Sequence, residues 1–373
     1  MNKVTVLITG ADGFIGKNLC ISLDRWPNVN VLKYTRSTSS ALNQLVAKSD
    51  FIFHLAGVNR SVVEQDFEID NANLTKQLCD AVRVSGKSVP LVFSSSVHIE
   101  RGSAYGKSKL LAELHLLNLH AETNNPVFIY RLPNVFGKWC KPNYNSVVAT
   151  FCYNVSKNIP LEIHDGKKEI ELLHIGELIH SFLDLLQRLP KEKIFISIEN
   201  VYKVSISNLA ELVKSFKEDA KCITINEVGG GLKRLLYSTY ISYLTPLEIA
   251  YPLEKHHDER GSFVEMLKTK NSGQFSYFTA SPGVTRGGHY HNIKTEKFLV
   301  VNGLAKFRFK HILTDDIIEF NVSSSKPEVI ETIPGWSHDI TNIGEDDLIA
   351  ILWANEVFDK QKPDTNVYPI KYE

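Results

Sequence analysis

The chain has 373 residues, 43% hydrophobic and 23% charged, the composition of an ordinary globular protein. Its 42 basic and 42 acidic side chains cancel, so no overall charge draws it to nucleic acid or an anionic membrane. The length exceeds what one hydrophobic core usually serves, which points to two domains.

The first half alternates two patterns. Strand patterns cover Val4–Thr9, Val29–Tyr34, Phe51–His54, Leu91–Ser94 and Val127–Arg131. Helical patterns fall between them at Phe14–Arg25, Ser40–Lys48, Asn71–Val84 and Tyr105–Glu122. This alternation implies βαβ units and an α/β, Rossmann-like doubly wound parallel sheet. Helices at Ser146–Lys157, Gly176–Leu189 and Ser207–Lys217 are expected to build a smaller substrate-facing lobe. Near residue 245 the pattern changes, with Tyr237–Leu244, Pro246 and Pro252 as the boundary, so the expected domains are 1–245 and 246–373. Beyond Tyr251, strand patterns at Phe275–Ala280, Lys297–Val301, Ala305–His311, Ile317–Val322, Glu328–Ile333 and Leu348–Trp353 are separated only by turns. That spacing implies an all-β antiparallel barrel or jelly roll. No run approaches the ~18 apolar residues of a membrane span. The N-terminal apolar run lacks a signal-peptide pattern, and five cysteines without CxxC spacing suggest reduced thiols. A cytoplasmic protein that binds neither membrane nor nucleic acid is expected.

Gly10, Gly13 and Gly16 form Gly-x-x-Gly-x-x-Gly between the first strand and helix. Glycines there let the backbone approach a pyrophosphate at the helix N-terminus, with Phe14 and Ile15 in the same turn. The second strand ends in Lys33-Tyr34-Thr35-Arg36-Ser37, without the carboxylate that would bond a ribose 2′-hydroxyl. Arg36 there favours NADP(H), a solvated basic turn being the other reading. Tyr105 and Lys109 are four apart and share a helical face. An ammonium there would lower the phenol pKa, making Tyr105 a proton donor to a developing alkoxide, while Ser96 could bond the substrate carbonyl.

These residues, with Leu55-Ala56-Gly57 and Arg131-Leu132-Pro133-Asn134-Val135-Phe136-Gly137, resemble the extended short-chain dehydrogenases that act on nucleotide sugars. The resemblance implies that Leu55, Ala56 and Gly57 lie along the cofactor with Tyr105 and Lys109, and that Asn134 approaches substrate. Arg131 is either a second substrate contact or a structural ion pair. One departure is that only nine positions separate Ser96 from Tyr105.

In the second half, His289 and His291 are two apart on a strand and so share a face, with Glu296 on the next strand and His338 able to complete a cage. Three neutral imidazoles and a carboxylate suit Zn, Fe(II), Mn or Ni. Gly283-x5-His289-x-His291-x4-Glu296-x6-Gly303 resembles the first cupin motif, and Pro334-Gly335-x2-His338-x3-Asn342 the second, one residue short. A metal-free cupin with His289 as a base is the competing reading. His311 and Tyr290 are further candidates for proton transfer, His311 being equally readable as a surface strand residue.

The domain order, with Phe136–Ser146, Glu296–Val301 and Lys362-Pro363-Asp364-Thr365, resembles the bifunctional reductase–epimerases of bacterial capsule and O-antigen assembly. Those enzymes make UDP-2-acetamido-2,6-dideoxy-L-talose. The resemblance implies NADPH, Zn2+ in the cupin, a UDP-linked 4-keto-6-deoxy-hexosamine substrate and a homodimer. Two alternatives stand beside it. The cupin could be only a binding, dimerisation or regulatory module, or the chain could be a dehydratase or 4-epimerase recycling bound NAD.

Overall fold

Residues 3–190, 193–245, 248–249, 251–314 and 316–371 are described by the structure, a computed structural model. Pro246, one of the expected boundary marks, lies outside them. The chain divides into two compact units: residues 1–214 with 231–244, and residues 215–230 with 245–373.

The first unit begins β1 (Val4–Thr9), α1 (Phe14–Leu23), β2 (Val29–Tyr34), α2 (Leu42–Lys48), β3 (Phe51–His54). It continues α3 (Glu64–Phe67), α4 (Leu74–Ser85), β4 (Leu91–Ser96), α5 (Ala104–Thr123) and β5 (Val127–Leu132). The five strands form one parallel sheet in the order β2-β1-β3-β4-β5. Because both faces are covered, the inner strands β1 and β3 are apolar at nearly every position rather than at alternate ones, while the edge strand β2 is half-exposed. Ile8, Phe53 and Tyr130 face one core with Leu19 and Leu23 of α1. Leu7, Ile52, Phe93 and Ile129 face the other, against Val46, Leu78, Val82, Ala112 and Leu116. Strand order reverses between β1 and β3, and the crevice beyond their C-terminal ends is where such sheets bind ligands.

Next come β6 (Asn134–Phe136), α6 (Val147–Ser156), β7 (Glu169–His174), α7 (Ile175–Gln187), β8 (Val201–Ser205) and α8 (Ile206–Lys221). Strands β6, β7 and β8 make a small second sheet whose strands went unrecognised in the sequence. Helix α7 corrects the expected separate lobe: Leu178, Ile179, Phe182 and Leu185 pack into the same core as α1. The boundary segment likewise proves helical in part. After β9 (Thr224–Ile225), α9 covers Gly231–Ile241.

Helix Asn71–Val84 is also corrected. Its regular part starts at Leu74, after a wide π-type turn at Glu68–Asn73. Such turns insert one extra residue. Here it aims Asn71 inward, where its amide bonds both backbone groups of Val58 and the Ser108 hydroxyl.

The second unit holds β10 (Lys255–Asp258), β11 (Gly261–Thr269), β12 (Gln274–Ala280), β13 (Thr285–Tyr290), β14 (Glu296–Asn302) and β15 (Leu304–His311). It ends with β16 (Ile317–Ser323), β17 (Val329–Glu331), β18 (Trp336–Asn342), β19 (Leu348–Ala354) and β20 (Asn366–Val367). One sheet runs β10-β11-β12-β19-β14-β17, with β9 joined in parallel to β11, and the other runs β16-β15-β18-β13-β20. The two are otherwise antiparallel and close over Phe278, Phe298, Val300, Phe307, Phe309 and Ile340, a cupin jelly roll. Among the described residues, no helix is long and apolar enough to cross a membrane.

One buried histidine ties the parallel sheet together. His54, at the end of β3, bonds the hydroxyls of Thr9 (2.7 Å) and Thr75 (2.8 Å). Burial, helped by the Lys109 charge, pushes it down to about 3, so it folds as neutral imidazole. Its ordinary pKa is near 6.5, so its stabilisation is complete above that pH and is lost as pH falls toward 3. We expect the urea midpoint to be level above pH 6.5 and to decline below it, and His54→Gln to flatten part of the decline. An unchanged slope in that variant would contradict the assignment.

Candidate active sites

In the first unit a cleft of about 470 Å3 opens at the β1/β3 switch point. Gly10, Gly13, Phe14, Ile15 and Gly16 line it on one side, and Ser96, Tyr105, Lys109 and Asn134 on the other. Two glycines are obligatory. Gly10 sits at φ +70° and a Cβ there would lie 2.7 Å from the Ala56 backbone, while one at Gly16 would lie 2.2 Å from the Gly10 carbonyl. Close strand–helix contact thus demands them before any ligand is considered. Leu55 and Gly57 also line the cleft, and Ala56 instead donates its amide to the Thr9 hydroxyl.

The short interval between Ser96 and Tyr105 is spanned by a 3-10 turn at Val97–Arg101. Ser96 starts it by accepting the His98 amide at 3.2 Å, and Gly102, left-handed at φ 65°, ends it. Ser103 then caps α5 through the Gly106 amide. Gly106 lets the helix abut this turn, since a Cβ would fall 2.4 Å from the His98 carbonyl.

Ser96, Tyr105 and Lys109 are thereby brought to one wall. The expected lowering of the Tyr105 phenol by Lys109 is not met. Burial pushes the phenol up, and what opposes it is a hydrogen bond with Ser96. Lys109 donates to the Ser94 carbonyl at 2.8 Å and lies 4.7 Å from the Phe93 ring centroid. Its burial pulls the ammonium down to about 8 against the attraction of Glu113. Among the described residues, Arg36 and Arg131 stand outside the cleft lining. Arg36 is exposed and 3.6 Å from Asp70, a pair worth little in water. Asn134 donates to the Glu171 carbonyl at 3.0 Å, so part of its amide fastens β6 to β7.

Glu113 was missed by sequence reasoning. It is 1% exposed on α5 and accepts Ser95 Oγ (2.5 Å) and two bonds from Arg131 (3.1 and 2.7 Å). Position 113 lies one turn beyond Lys109, the spacing that could have revealed it. The run Phe136–Ser146, quoted only as a family signature, supplies Trp139, Lys141 and Tyr144 to the cleft. Arg60 bonds the Tyr144 carbonyl at 2.5 Å across it.

In the second unit the ligand atoms of His289, His291, Glu296 and His338 all lie within 4.8 Å of one another. A bulge in β13 between Gly287 and His289 sets His289 opposite His338 on β18. Gly287 allows it at φ +100°, where a Cβ would be 2.7 Å from the His338 carbonyl. His291 falls one residue past the end of β13, and Glu296 opens β14.

The donor set fits a divalent cation. His291 donates Nδ1–H to the Asp364 carbonyl, which leaves Nε2 directed at Glu296 Oε2, 3.2 Å away. His338 Nε2 lies 3.3 Å from the same oxygen, yet neither ring nitrogen makes a hydrogen bond, although both are buried. Buried imidazole nitrogens without partners are costly unless a cation or proton joins them. Burial, with the neighbouring imidazoles, pushes His289 down to about 4, the neutral state a ligand needs. Burial alone would raise Glu296, but His291, His338 and Lys294 hold it far below the usual carboxylate range.

Lys294 was not anticipated. It is 8% exposed, with its ammonium 2.7 Å from Glu296 Oε1. It engages one carboxylate oxygen while the imidazoles face the other. The i, i+2 spacing was the available signal. Tyr290 packs near Tyr368, and His311 closes a turn by accepting the Leu313 and Thr314 amides.

Comparison with known proteins accounts for both halves. Residues 6–197 match the NAD dependent epimerase/dehydratase family, and residues 256–366 the polysaccharide biosynthesis C-terminal domain. The chain belongs to that epimerase/dehydratase family. It is 49% identical over 361 residues to UDP-2-acetamido-2,6-beta-L-arabino-hexul-4-ose reductase of Pseudomonas aeruginosa, covering 96% of this chain and 97% of the relative. The capsular polysaccharide assembling protein CapF of Staphylococcus aureus superposes with TM-score 0.92 at 38% identity, over 99% of this chain and 100% of CapF. UDP-glucuronic acid 4-epimerase of Bacillus cereus shares the fold alone, with TM-score 0.51 and 20% identity over 58% of this chain and 83% of its own. The resemblance to two-domain capsular polysaccharide enzymes thus holds over nearly the whole length.

The two readings of Arg131 separate experimentally. If its role is to neutralise Glu113, Arg131→Met leaves a buried carboxylate short of its main partner and should cost about 3 kcal/mol of unfolding free energy. A variant with unchanged denaturant midpoint but raised substrate KM would instead make it a substrate contact.

Proposed function

We propose that the chain is a bifunctional nucleotide-sugar enzyme. The second unit inverts C3 of a UDP-2-acetamido-2,6-dideoxy-4-hexulose. The first then reduces the C4 ketone to give UDP-2-acetamido-2,6-dideoxy-L-talose, on the route to UDP-N-acetyl-L-fucosamine for capsule or O-antigen. The observation carrying the proposal is that one chain holds both a Ser96–Tyr105–Lys109 wall beside a glycine loop and a His289–His291–Glu296–His338 cluster. The 49%-identical relative, named for reduction of a UDP-linked 4-keto sugar, supports the reductive half.

The chemistry fixes the order. Hydrogen on C3 is acidic only while C4 is a ketone, because the electron pair then delocalises as an enolate. Once C4 is an alcohol, C3 is locked. Epimerisation therefore comes first.

In the first unit NADPH would supply the hydride, held by the glycine loop, by Leu55 to Gly57 and by Lys109. Arg36 would meet the 2′-phosphate. Ser96 hydrogen-bonds Tyr105 and would hold the C4 oxygen, and Tyr105 would deliver its phenolic proton there as charge develops. Asn134 would position the sugar. In the second unit a divalent cation, Zn2+ by this reading, would supply Lewis acidity for the enolate oxygen. His289, His291, Glu296 and His338 would hold it, with Lys294 occupying the second oxygen of Glu296. Action as a cytoplasmic homodimer belongs to the same proposal.

Product analysis from a UDP-linked 4-keto-6-deoxy-hexosamine with NADPH is the direct test. In deuterium oxide, Tyr105→Phe should lose NADPH oxidation by at least a hundredfold yet keep deuterium incorporation at C3. The paired variant His289→Ala/His338→Ala should lose that incorporation. Retained exchange there would favour a cupin that serves only to bind or dimerise.

The free enzyme carries a second expectation. With Lys109 held near 8, its ammonium is lost as pH rises through that value. NADPH affinity should therefore weaken above pH 8 in the wild type. Lys109→Met should bind weakly at every pH, without this dependence. Titration of cofactor fluorescence from pH 6.5 to 9.5 decides it.

A further inference from the structure

The loop joining β13 to β14 carries the cluster, since His291 opens it and Glu296 follows it. Among the described residues, the loop backbone is held by groups from much later in the chain, Asn355 at Ile293 and Thr295 and Asp364 at its start. The Asp364 carboxylate accepts the successive backbone amides of Asn292, Ile293 and Lys294 at 2.8–3.1 Å, and the Asn292 side-chain amide at 2.9 Å. Consecutive amides turned inward make a concave nest for an anion. Burial would raise this carboxyl, but those amides hold it far below its ordinary range. The carbonyl of the same residue accepts His291 Nδ1–H.

The segment continues along the other ligand strands. His289 and Tyr290 pair with Val367 and Asn366 of β20. The Tyr368 amide donates to the Gly288 carbonyl at 2.8 Å, and Ser337, beside His338, donates its hydroxyl to the Tyr368 carbonyl. Arg308, ion-paired with Asp339 on the far side of His338, also reaches the Ile370 carbonyl. The stretch 364–370 thus touches the surroundings of His289, His291 and His338.

We propose that residues 364–370 form a clasp that sets the geometry of the metal centre. Asp364 is its positioning residue: its carboxylate shapes the 292–294 loop and its carbonyl fixes which His291 nitrogen faces the cluster. This rests on the reading of the four-residue cluster as a metal site. A metal-bound imidazole is oriented and made more basic by the acceptor at its other nitrogen, and losing such support typically costs about 10–100-fold in affinity.

The test uses the full-length protein, stripped with a chelator and reloaded with Zn2+ or Co2+. Affinity is read by competition with a chromogenic chelator, and coordination by the visible bands of the Co2+ form. We expect one ion per chain in the wild type. Asp364→Ala should bind Zn2+ about 10–100-fold more weakly, with altered Co2+ bands, and should melt lower when metal-free because four donors lose their acceptor. Asp364→Asn, which keeps an acceptor for the amides, should recover most of the affinity and the wild-type bands. Wild-type affinity and bands in Asp364→Ala overturn the clasp and leave the metal site standing. A drop in metal-free melting temperature that Asn does not rescue, with unaltered Co2+ bands, makes Asp364 merely structural and also overturns it. If the wild type binds no ion, or binds it as well after His338→Ala, the underlying reading of the cluster fails instead.

Discussion

A carboxylate taken out of water must be met by donors and positive charge, and each candidate site is organised around one such group. In the parallel-sheet unit it is Glu113, answered by Arg131 and the Ser95 hydroxyl, with Lys109 within its field. In the jelly roll it is Glu296, answered by Lys294 and faced by His291 and His338. Desolvation makes an uncompensated charge of this kind expensive, so each compensating residue is fixed in place by the same energy that would otherwise unfold the region. The active groups inherit that rigidity. Lys109 is aimed by the Ser94 carbonyl to which it donates, and Glu296 faces His291 and His338 with the oxygen that Lys294 leaves open.

Both sites also depend on backbone approaching backbone. Gly10 and Gly16 bring β1, the loop after β3 and α1 closer than any side chain permits, and Gly287 does the same for β13 against β18. In each case a motif that reads as ligand binding has a prior steric reason. In the parallel-sheet unit the candidate cleft opens beside that close contact.

The inner parallel strands were legible because burial on both faces leaves them largely apolar, and the half-exposed edge strand β2 because Val29, Val31 and Leu32 still form a strand-like run. Val4–Thr9, Val29–Tyr34 and Phe51–His54 stand where the sequence put them. Strands β7 and β8 were not legible, since Glu169, Glu171 and Lys203 interrupt any apolar run on a small, half-exposed sheet. Helix α9 was obscured by its Gly-rich start and the prolines beyond it. The convergence of His289, His291, Glu296 and His338 could be read from local spacing and its Gly and Pro neighbours. Its supports could not, because Lys294 looks like any surface lysine and Asp364 lies 73 positions from His291. The environment of Tyr105 was misjudged for a related reason: helical spacing gives the face that Lys109 shares, but not the carbonyl that its ammonium prefers.

That long separation bears on how the protein is made. His289, His291 and Glu296 leave the ribosome well before Asp364 is added, and the 292–294 amides then lack the anion they enclose in the finished fold. The 291–296 loop therefore takes its final shape only once residues 364–370 have reached it, so this end of the jelly roll is completed among the last steps of folding.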